Sequence, residues 1–494
     1  MRYVMAIDQG TSSSRCLLYD HEGSTVATAQ RVFRQIFPKP GWVEHDPEEI
    51  WQTQVEVCRE AMWQLNLQPA DLAGIGVTNQ RETAVVWDRH TGKPIHNAIV
   101  WQDRRTAEQC AQLKAAGWEE KIQAKTGLLI DPYFSATKIR WILDHVKDAP
   151  EKARRGELAF GTIDTWLVWN MTQGELHITD VSNASRTLLF NIDTLSWDPE
   201  LLDLFGIPAA MLPEVKSSSD CYGLTRDPLI GENIKIAAIV GDQQASLFGQ
   251  MCVEPGMAKC TYGTGSFLVM NTGSEKVISE HRLLTTIAWK IGGQVVYALE
   301  GSVFVGGAAI QWLRDELHLF DQAEDSETLA AAVRDNGGVY FVPAFTGLGA
   351  PYWDPAARGG IFGLTRGAST SHIVRAALEG IAFQVDDIVQ ILAADSGRPV
   401  SQLRIDGGAS ANNLLVQFQA DISGLEVVRP ANLETTALGA AYLAGLAVGV
   451  WTLDELKKKW GVDRTFQGAL PPEEIEAEKK QWRKAVERVR NWSE

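Results

Sequence analysis

The stretch from Val4 to Tyr19 constrains this chain more than any other. An apolar run, Val4-Met5-Ala6-Ile7, ends in Asp8. Gln9-Gly10-Thr11-Ser12-Ser13-Ser14 then turns, and Arg15-Cys16-Leu17-Leu18-Tyr19 runs back. The pattern predicts two apolar strands joined by a polar turn. Small residues let a backbone approach a ligand closely, and their N–H and hydroxyl groups can cradle phosphate oxygens. A carboxylate beside such a turn suits Mg²⁺ bound by way of phosphates and water. From these residues alone, an ordinary hairpin with a surface Asp reads equally well.

A second stretch of the same kind shifts that balance. Met257 to Met270 again reads strand, turn, strand, with Gly263-Thr264-Gly265-Ser266 at its centre. Two phosphate-sized turns, one in each half, imply two similar domains facing one nucleotide. That arrangement resembles the actin-like ATPase superfamily. The 494 residues exceed one usual hydrophobic core, which predicts two large domains. They are expected at 1–250 and 251–494, parted near Glu254-Pro255-Gly256. In the first half, three antiparallel strands precede alternating strands and helices, an α/β pattern that the second half repeats. Asp46-Pro47-Glu48-Glu49 is a strong helix start. After Pro471-Pro472, Ile475, Trp482, Val486 and Val489 share one helix face, read as packing.

Composition narrows the function class. A net charge of −16 argues against a nucleic-acid partner and against an anionic membrane surface. The six cysteines form no CxxC pair and no Cys/His cluster, so neither zinc nor a disulfide framework is indicated. A reducing, cytoplasmic location fits. The first strand begins at about Tyr3, which leaves no signal peptide. The longest apolar run, Ala437 to Trp451, is too short and too Gly-rich to span a bilayer. There is no GxxxxGK[ST], no GxGxxG after a strand and no HExxH.

Four groups of residues carry candidate chemistry. Asp242 follows the apolar run Ala237-Ala238-Ile239-Val240 and Gly241, at a strand's C-terminal end, where open α/β sheets build their sites. A kinase needs such a carboxylate to orient an acceptor hydroxyl and take its proton. A helix N-cap is the plain alternative, and the two are compatible. Arg81-Glu82 ends another buried strand and offers donors and acceptors to neighbouring hydroxyls, or is a solvated pair. Trp101 and Phe267 could wall the apolar side of a small ligand, or be core. Gly407-Gly408-Ala409-Ser410-Ala411-Asn412 joins a strand to a helix and permits close approach of a base or phosphate.

In combination the motifs resemble the FGGY carbohydrate kinase family, and within it the branch that phosphorylates glycerol. Tyr133 to His145 is similar to the family's first signature. Gly359 to Leu364, with His372-Ile373 and Ala376 to Glu379, is similar to the second. Thr78 to Thr83, Trp101 to Arg105, Asp131 to Tyr133 and Gly241 to Ala245 resemble the glycerol-phosphorylating branch. The resemblance implies two ribonuclease-H-like domains of the actin-like ATPase fold, with the active site in the cleft between them. It implies ATP-dependent, Mg²⁺-dependent phosphorylation of glycerol to sn-glycerol 3-phosphate by a homodimer or homotetramer. Carried over by motif, polyol contacts fall on Arg81, Glu82, Tyr133, Asp242 and Gln243, walled by Trp101 and Phe267. Nucleotide contacts fall on Thr11, Ser12, Ser13, Arg15, Thr264, Gly307, Gln311, Gly408 and Asn412. Asp8 would meet the metal through water, Asp242 would also face it, and Asp242 would be the general base. Two rivals stay open: a kinase for a longer sugar such as a pentulose, and an ATP-driven chaperone- or actin-like module. The latter lacks room for a peptide-binding domain after residue 451.

The chain departs from the family in one loop. Some members bind a sugar bisphosphate through a Gly-Gly-Thr-Arg loop before the Asp-bearing strand. Here the region reads Leu224-Thr225-Arg226-Asp227-Pro228-Leu229-Ile230-Gly231-Glu232-Asn233-Ile234. Asp227 directly follows the single Arg, Glu232 lies further on, and Pro228 removes a backbone donor. Nor does any His occur between His177 and His281 to carry an activating phosphoryl group. Fructose bisphosphate at low millimolar concentration is therefore expected not to inhibit. Saturable inhibition that Arg226→Ala abolishes would overturn this.

Overall fold

A computed structural model describes residues 2–493. In the first half β1 (Tyr3–Gln9), β2 (Ser13–Tyr19) and β3 (Thr25–Val32) run antiparallel. On the other side of β1, β4 (Leu72–Asn79) and then β6 (Lys235–Gly241) pair in parallel, and β5 (Ser219–Leu224) borders β6. The second half repeats this order. β7 (Met257–Tyr262), β8 (Ser266–Gly273), β9 (Leu284–Ile291) and β10 (Gln294–Val303) form the antiparallel set in the spatial order β7-β8-β10-β9. β11 (Gln402–Asp406) and β12 (Val427–Pro430) add in parallel beside β7, and β13 (Val462–Phe466) closes the edge. A single residue pair, Ser219 with Ile291, joins the two sheets through β5 and β9. The repeated strand–turn–strand of the sequence is thus the first hairpin of each half.

The strand readings follow from burial. Val4 to Ile7 and Ile236 to Val240 are fully buried, as parallel strands covered on both faces must be, so they read as continuous apolar runs. On the edge strand β3, Ala27 and Ala29 point inward and their neighbours outward. Asp46 caps α1 (Pro47–Gln64) by accepting the Glu48 N–H, with Pro47 in the first turn. In α8 (Pro472–Val489), Trp482 stacks on Phe383 of α5 (Thr370–Ser396), with ring centroids 5.1 Å apart and planes 9° apart. Its indole N–H reaches Asp387 at 2.8 Å. The tail helix is therefore packed down, as its sequence face suggests.

Two helices set the geometry between the halves. α3 (Asp242–Gly249) follows the last parallel strand of the first half, and α7 (Thr435–Val448) that of the second. α7 is apolar nearly all round and buried from Ala437 to Gly445, which places it in the interior rather than in a membrane. It lies against β1, β4 and β6 of the first half and against α3. Among the described residues no helix is long and apolar enough to cross a membrane. The six cysteines are free thiols.

In the departing loop at 224–234, Arg226 pairs with Glu175 at 3.0 Å, and Asp227 Oδ1 accepts the N–H groups of Leu229 and Ile230. The Arg226 Nε and two backbone donors of the loop are thus already engaged within the protein.

The helices α3 and α7 touch backbone to backbone. A Cβ on Gly439 would stand 1.8 Å from the Ala245 carbonyl oxygen, and one on Gly249 would stand 2.0 Å from that of Thr435. Both partners are helix backbone and cannot yield. Helix propensity alone makes Gly→Ala favourable by about 1 kcal/mol. Overpacking of this kind costs about 1–3 kcal/mol or more. Gly439→Ala is therefore expected to lower the thermal midpoint, and an unchanged or raised midpoint in calorimetry would contradict the crossing.

Candidate functional site

The site is built where β1, β4 and β6 end. Asp8 lies at the end of β1, Arg81 and Glu82 just past β4, and Asp242 just past β6. Gly241 is the N-cap of α3 and Asp242 its first residue, so the carboxylate lies at a helix N-terminus. Its Oδ1 accepts the Gln243 N–H at 2.7 Å. The side chain keeps 31% of its surface open. Burial in the surrounding protein pushes its pKa up to about 6; Arg81 opposes the rise and Glu82 adds to it.

Arg81 and Glu82 are not a solvated pair. Both are buried, and Arg81 is gripped from the other half of the chain. Glu300, on β10, takes both ends of its fork, Nη1 at 2.6 Å and Nη2 at 2.8 Å. Nη2 also reaches the Tyr133 hydroxyl at 3.1 Å, and Nη1 the Gln244 side-chain oxygen Oε1 at 3.3 Å. The remaining Nε faces Asp242 at 3.3 Å and Glu82 at 3.6 Å. A second buried guanidinium, Arg186, holds Glu82 Oε1 at 2.8 Å and Glu300 Oε1 at 3.2 Å. Burial would push the Glu300 carboxyl up, but Arg186 and Arg81 outweigh it and hold the pKa down to about 2. Sequence reasoning missed Arg186 and Glu300. Neither sits in a glycine-rich turn or next to another candidate, so no local signal marks them.

The aromatic side is tied to the first turn. The Trp101 indole N–H donates to the Thr11 hydroxyl at 2.9 Å, and its ring meets Tyr133 edge-on at 5.6 Å. Tyr133 precedes α2 (Ser135–His145), whose buried Lys138 folds back. The Lys138 ammonium donates to the carbonyls of Pro132, Tyr133 and Phe134 at 2.6, 2.5 and 3.0 Å. Burial lowers its pKa to about 8. Lys138 lies in the first signature motif, yet its service to the Tyr133 loop is visible only in three dimensions. Phe267 stands opposite Thr261 across the β7–β8 hairpin.

The remaining candidates cluster around the two turns. Asp8 is buried and pairs with Arg15, which also pairs with Glu434 of the second half. Ser12 is exposed, whereas the Ser13 hydroxyl is taken by Gln30 at 2.9 Å. In the second turn the Thr264 carbonyl accepts the N–H groups of Gly306 and Ala308. This locks the turn to α4 (Gly307–Asp315), which carries an exposed Gln311. A Cβ on Gly307 would stand 2.9 Å from the Gly263 carbonyl oxygen and 3.8 Å from Ala409 Cβ, so the 407–412 turn lies alongside. Gly408 has open space before it. Asn412 caps α6 (Asn413–Ser423) through the Leu415 N–H at 3.0 Å, and its amide nitrogen reaches Ser326 at 3.3 Å. Among the described residues no three His, Cys, Asp or Glu side chains group to hold an ion. A site of one or two carboxylates suits Mg²⁺ that arrives on phosphates and keeps its waters.

Comparison with known proteins bears on what these residues serve. Models of the N-terminal and C-terminal domains of the FGGY family of carbohydrate kinases match residues 3–249 and 258–448. The chain belongs to the FGGY family of carbohydrate kinases. Among its FGGY relatives, proteins named glycerol kinase from Paraburkholderia phytofirmans and Caldanaerobacter subterraneus are each 59% identical over 494 residues, 100% of this chain and 99% of theirs. A crystal structure of Plasmodium falciparum glycerol kinase with ADP superposes with a TM-score of 0.94 at 40% identity, covering 99% of this chain and 98% of that one. A xylulose kinase from Lactobacillus acidophilus, at 24% identity and a TM-score of 0.88 over 99% and 97% of the two chains, shares the fold.

The Glu300 contacts set a pH-dependent stability. Glu300→Gln leaves two buried guanidiniums short of counter-charge, which costs about 3–5 kcal/mol. The folded carboxyl pKa lies below the ordinary 4.5, so its contribution is full above about pH 4.5. It is lost as pH falls towards about 2. Denaturant titrations of both proteins should show their stability gap narrowing over that window. A gap independent of pH would contradict the ionised Glu300.

Proposed function

We propose that this FGGY kinase transfers the γ-phosphoryl group of ATP to a primary hydroxyl of glycerol, giving sn-glycerol 3-phosphate. The observation that carries the chemistry is Asp242: a partly open carboxylate with a pKa near 6, at a helix start, beside Arg81 and Glu82. Full-length identity of 59% to glycerol kinases supports the acceptor. Asp242 takes the proton of the attacking hydroxyl as oxygen bonds to phosphorus and ADP leaves in line. Glu82 accepts from, and the Arg81 Nε–H donates to, the other hydroxyls. The Arg81 fork is already filled by Glu300 and Tyr133, which suits a small triol better than a longer sugar. Trp101 and Phe267 cover the carbon chain and exclude water.

The two hairpin turns, through Thr11, Ser12, Ser13 and Thr264, receive the phosphates. Arg15 supplies positive charge there, and Gly307, Gln311, Gly408 and Asn412 receive the nucleoside. Asp8, through water, and Asp242 are the carboxylates that would hold Mg²⁺, which when bound neutralises charge on the β- and γ-phosphates. The halves 1–250 and 251–494 close on both substrates about the α3–α7 crossing.

A panel of polyols and ketoses with ATP and Mg²⁺ tests the assignment: glycerol 3-phosphate is the expected product, and preferred turnover of a pentulose refutes it. Asp242→Asn should lose about 10²–10⁴ in kcat while retaining nucleotide binding. In the parent, kcat/KM should fall as pH drops through about 6, where the base becomes protonated. Near-normal turnover in the variant would assign the base elsewhere.

A further inference from the structure

One buried ionisable group in the cleft has no part in the mechanism above. Lys259 lies on β7, in the second half of the chain, and its side chain is fully buried. Its ammonium reaches across to the first half and donates to the Gln243 side-chain oxygen on the first turn of α3. A second proton goes to the Thr261 hydroxyl at 2.8 Å. Carboxylates of Asp406, Asp242 and Glu300 supply the surrounding negative charge. Asp406 is itself occupied: Ser246 of α3 and Gln250 just past its end each donate to it at 3.0 Å, and Thr435 of α7 also donates to it. The lysine is therefore not there to satisfy Asp406 by a direct bond.

An ammonium has only donors, so it can engage an amide only through the carbonyl oxygen. This decides which way Gln243 points. With the oxygen held by Lys259, the amide N–H groups are the end left over, and no protein acceptor among the described residues takes them. Next door, the Asp242 carboxylate is an acceptor only. We propose that Lys259 is a positioning residue that fixes the polarity of Gln243, so that an acceptor at Asp242 and a donor at Gln243 face the polyol side by side. A hydroxyl between them then gives its proton to Asp242 while its neighbour's oxygen is held by the Gln243 amide. Without the ammonium, the amide is free to flip and can offer its oxygen, which would set two acceptors side by side. The inference rests on the reading of the cleft as a glycerol site, and it adds a residue from the second half to the acceptor end of that site.

Steady-state kinetics with varied glycerol at saturating ATP test it. Lys259→Met is expected to raise the glycerol KM about tenfold, a hydrogen bond's worth, with a smaller change in kcat. Gln243→Ala should raise it by a similar factor. The double variant should be no worse than either single one, because both remove the same oriented donor. A merely structural lysine would lower the melting temperature and leave the glycerol KM alone. Parental KM in Lys259→Met, or multiplicative effects in the double variant, would overturn the proposal. Should Lys259→Met fail to fold, Gln243→Glu decides: it keeps an acceptor for Lys259 and removes the donor. A tenfold rise in glycerol KM supports the proposal, and a parental value overturns it. A parent protein that does not phosphorylate glycerol removes the functional reading and this inference together. An active parent with unmoved KM values in the variants removes only the inference.

Discussion

The cleft surface around Arg81 depends on one buried carboxylate, Glu300, set between the guanidiniums of Arg81 and Arg186. Desolvating a lone guanidinium is prohibitive, and desolvating two side by side is worse. Glu300 and Glu82 together return the cluster to neutrality, with the Glu300 oxygens shared between both cations. Arg81 and Arg186 come from the first half of the chain and Glu300 from a strand of the second. Neither half can therefore assemble this surface alone. Once Glu300 holds the Arg81 fork, Nε is the only edge left, and it faces Asp242 and Glu82. Charge balance thus fixes orientation: a flexible arginine becomes a directional donor aimed at the space beside Asp242 and Glu82.

The two halves also meet through backbone. At the crossing of α3 and α7, Gly249 and Gly439 bring the helices closer than any side chain would allow. Asp406 reinforces the crossing by accepting from both helices at once. α3 begins with Asp242 and α7 lies under β1, whose last residues are Asp8 and Gln9. A shift at this crossing changes the distance between Asp242 and the turn that follows β1. The contact that packs the halves is therefore also the contact through which their relative motion would reach Asp242.

Much of this was legible in the sequence because its signals are local. Strand–turn–strand with a trailing acid needs only neighbours in the chain, and it marked Asp8, both turns and Asp242. Continuous apolar runs announced the parallel strands, and the Asp-Pro start and the apolar face announced α1 and α8. Arg81-Glu82 was visible as a doublet but ambiguous, since spacing cannot tell a solvated pair from a buried one. Burial and Glu300 removed the ambiguity.

What the sequence by itself determined is the repeated α/β half, the family it belongs to and the residues at its turns. These follow from periodicity, small-residue runs and motif spacing within a few dozen residues. Only the tertiary structure decided that Glu300, Arg186, Lys138 and Lys259 serve the same cleft, and which edge of Arg81 faces it. Those roles arise between residues up to 219 positions apart. A lone buried Glu or Lys in a strand looks the same in sequence whether its counter-charge is structural or faces a substrate. The difference lies in which oxygen meets which nitrogen, and chain folding alone sets that.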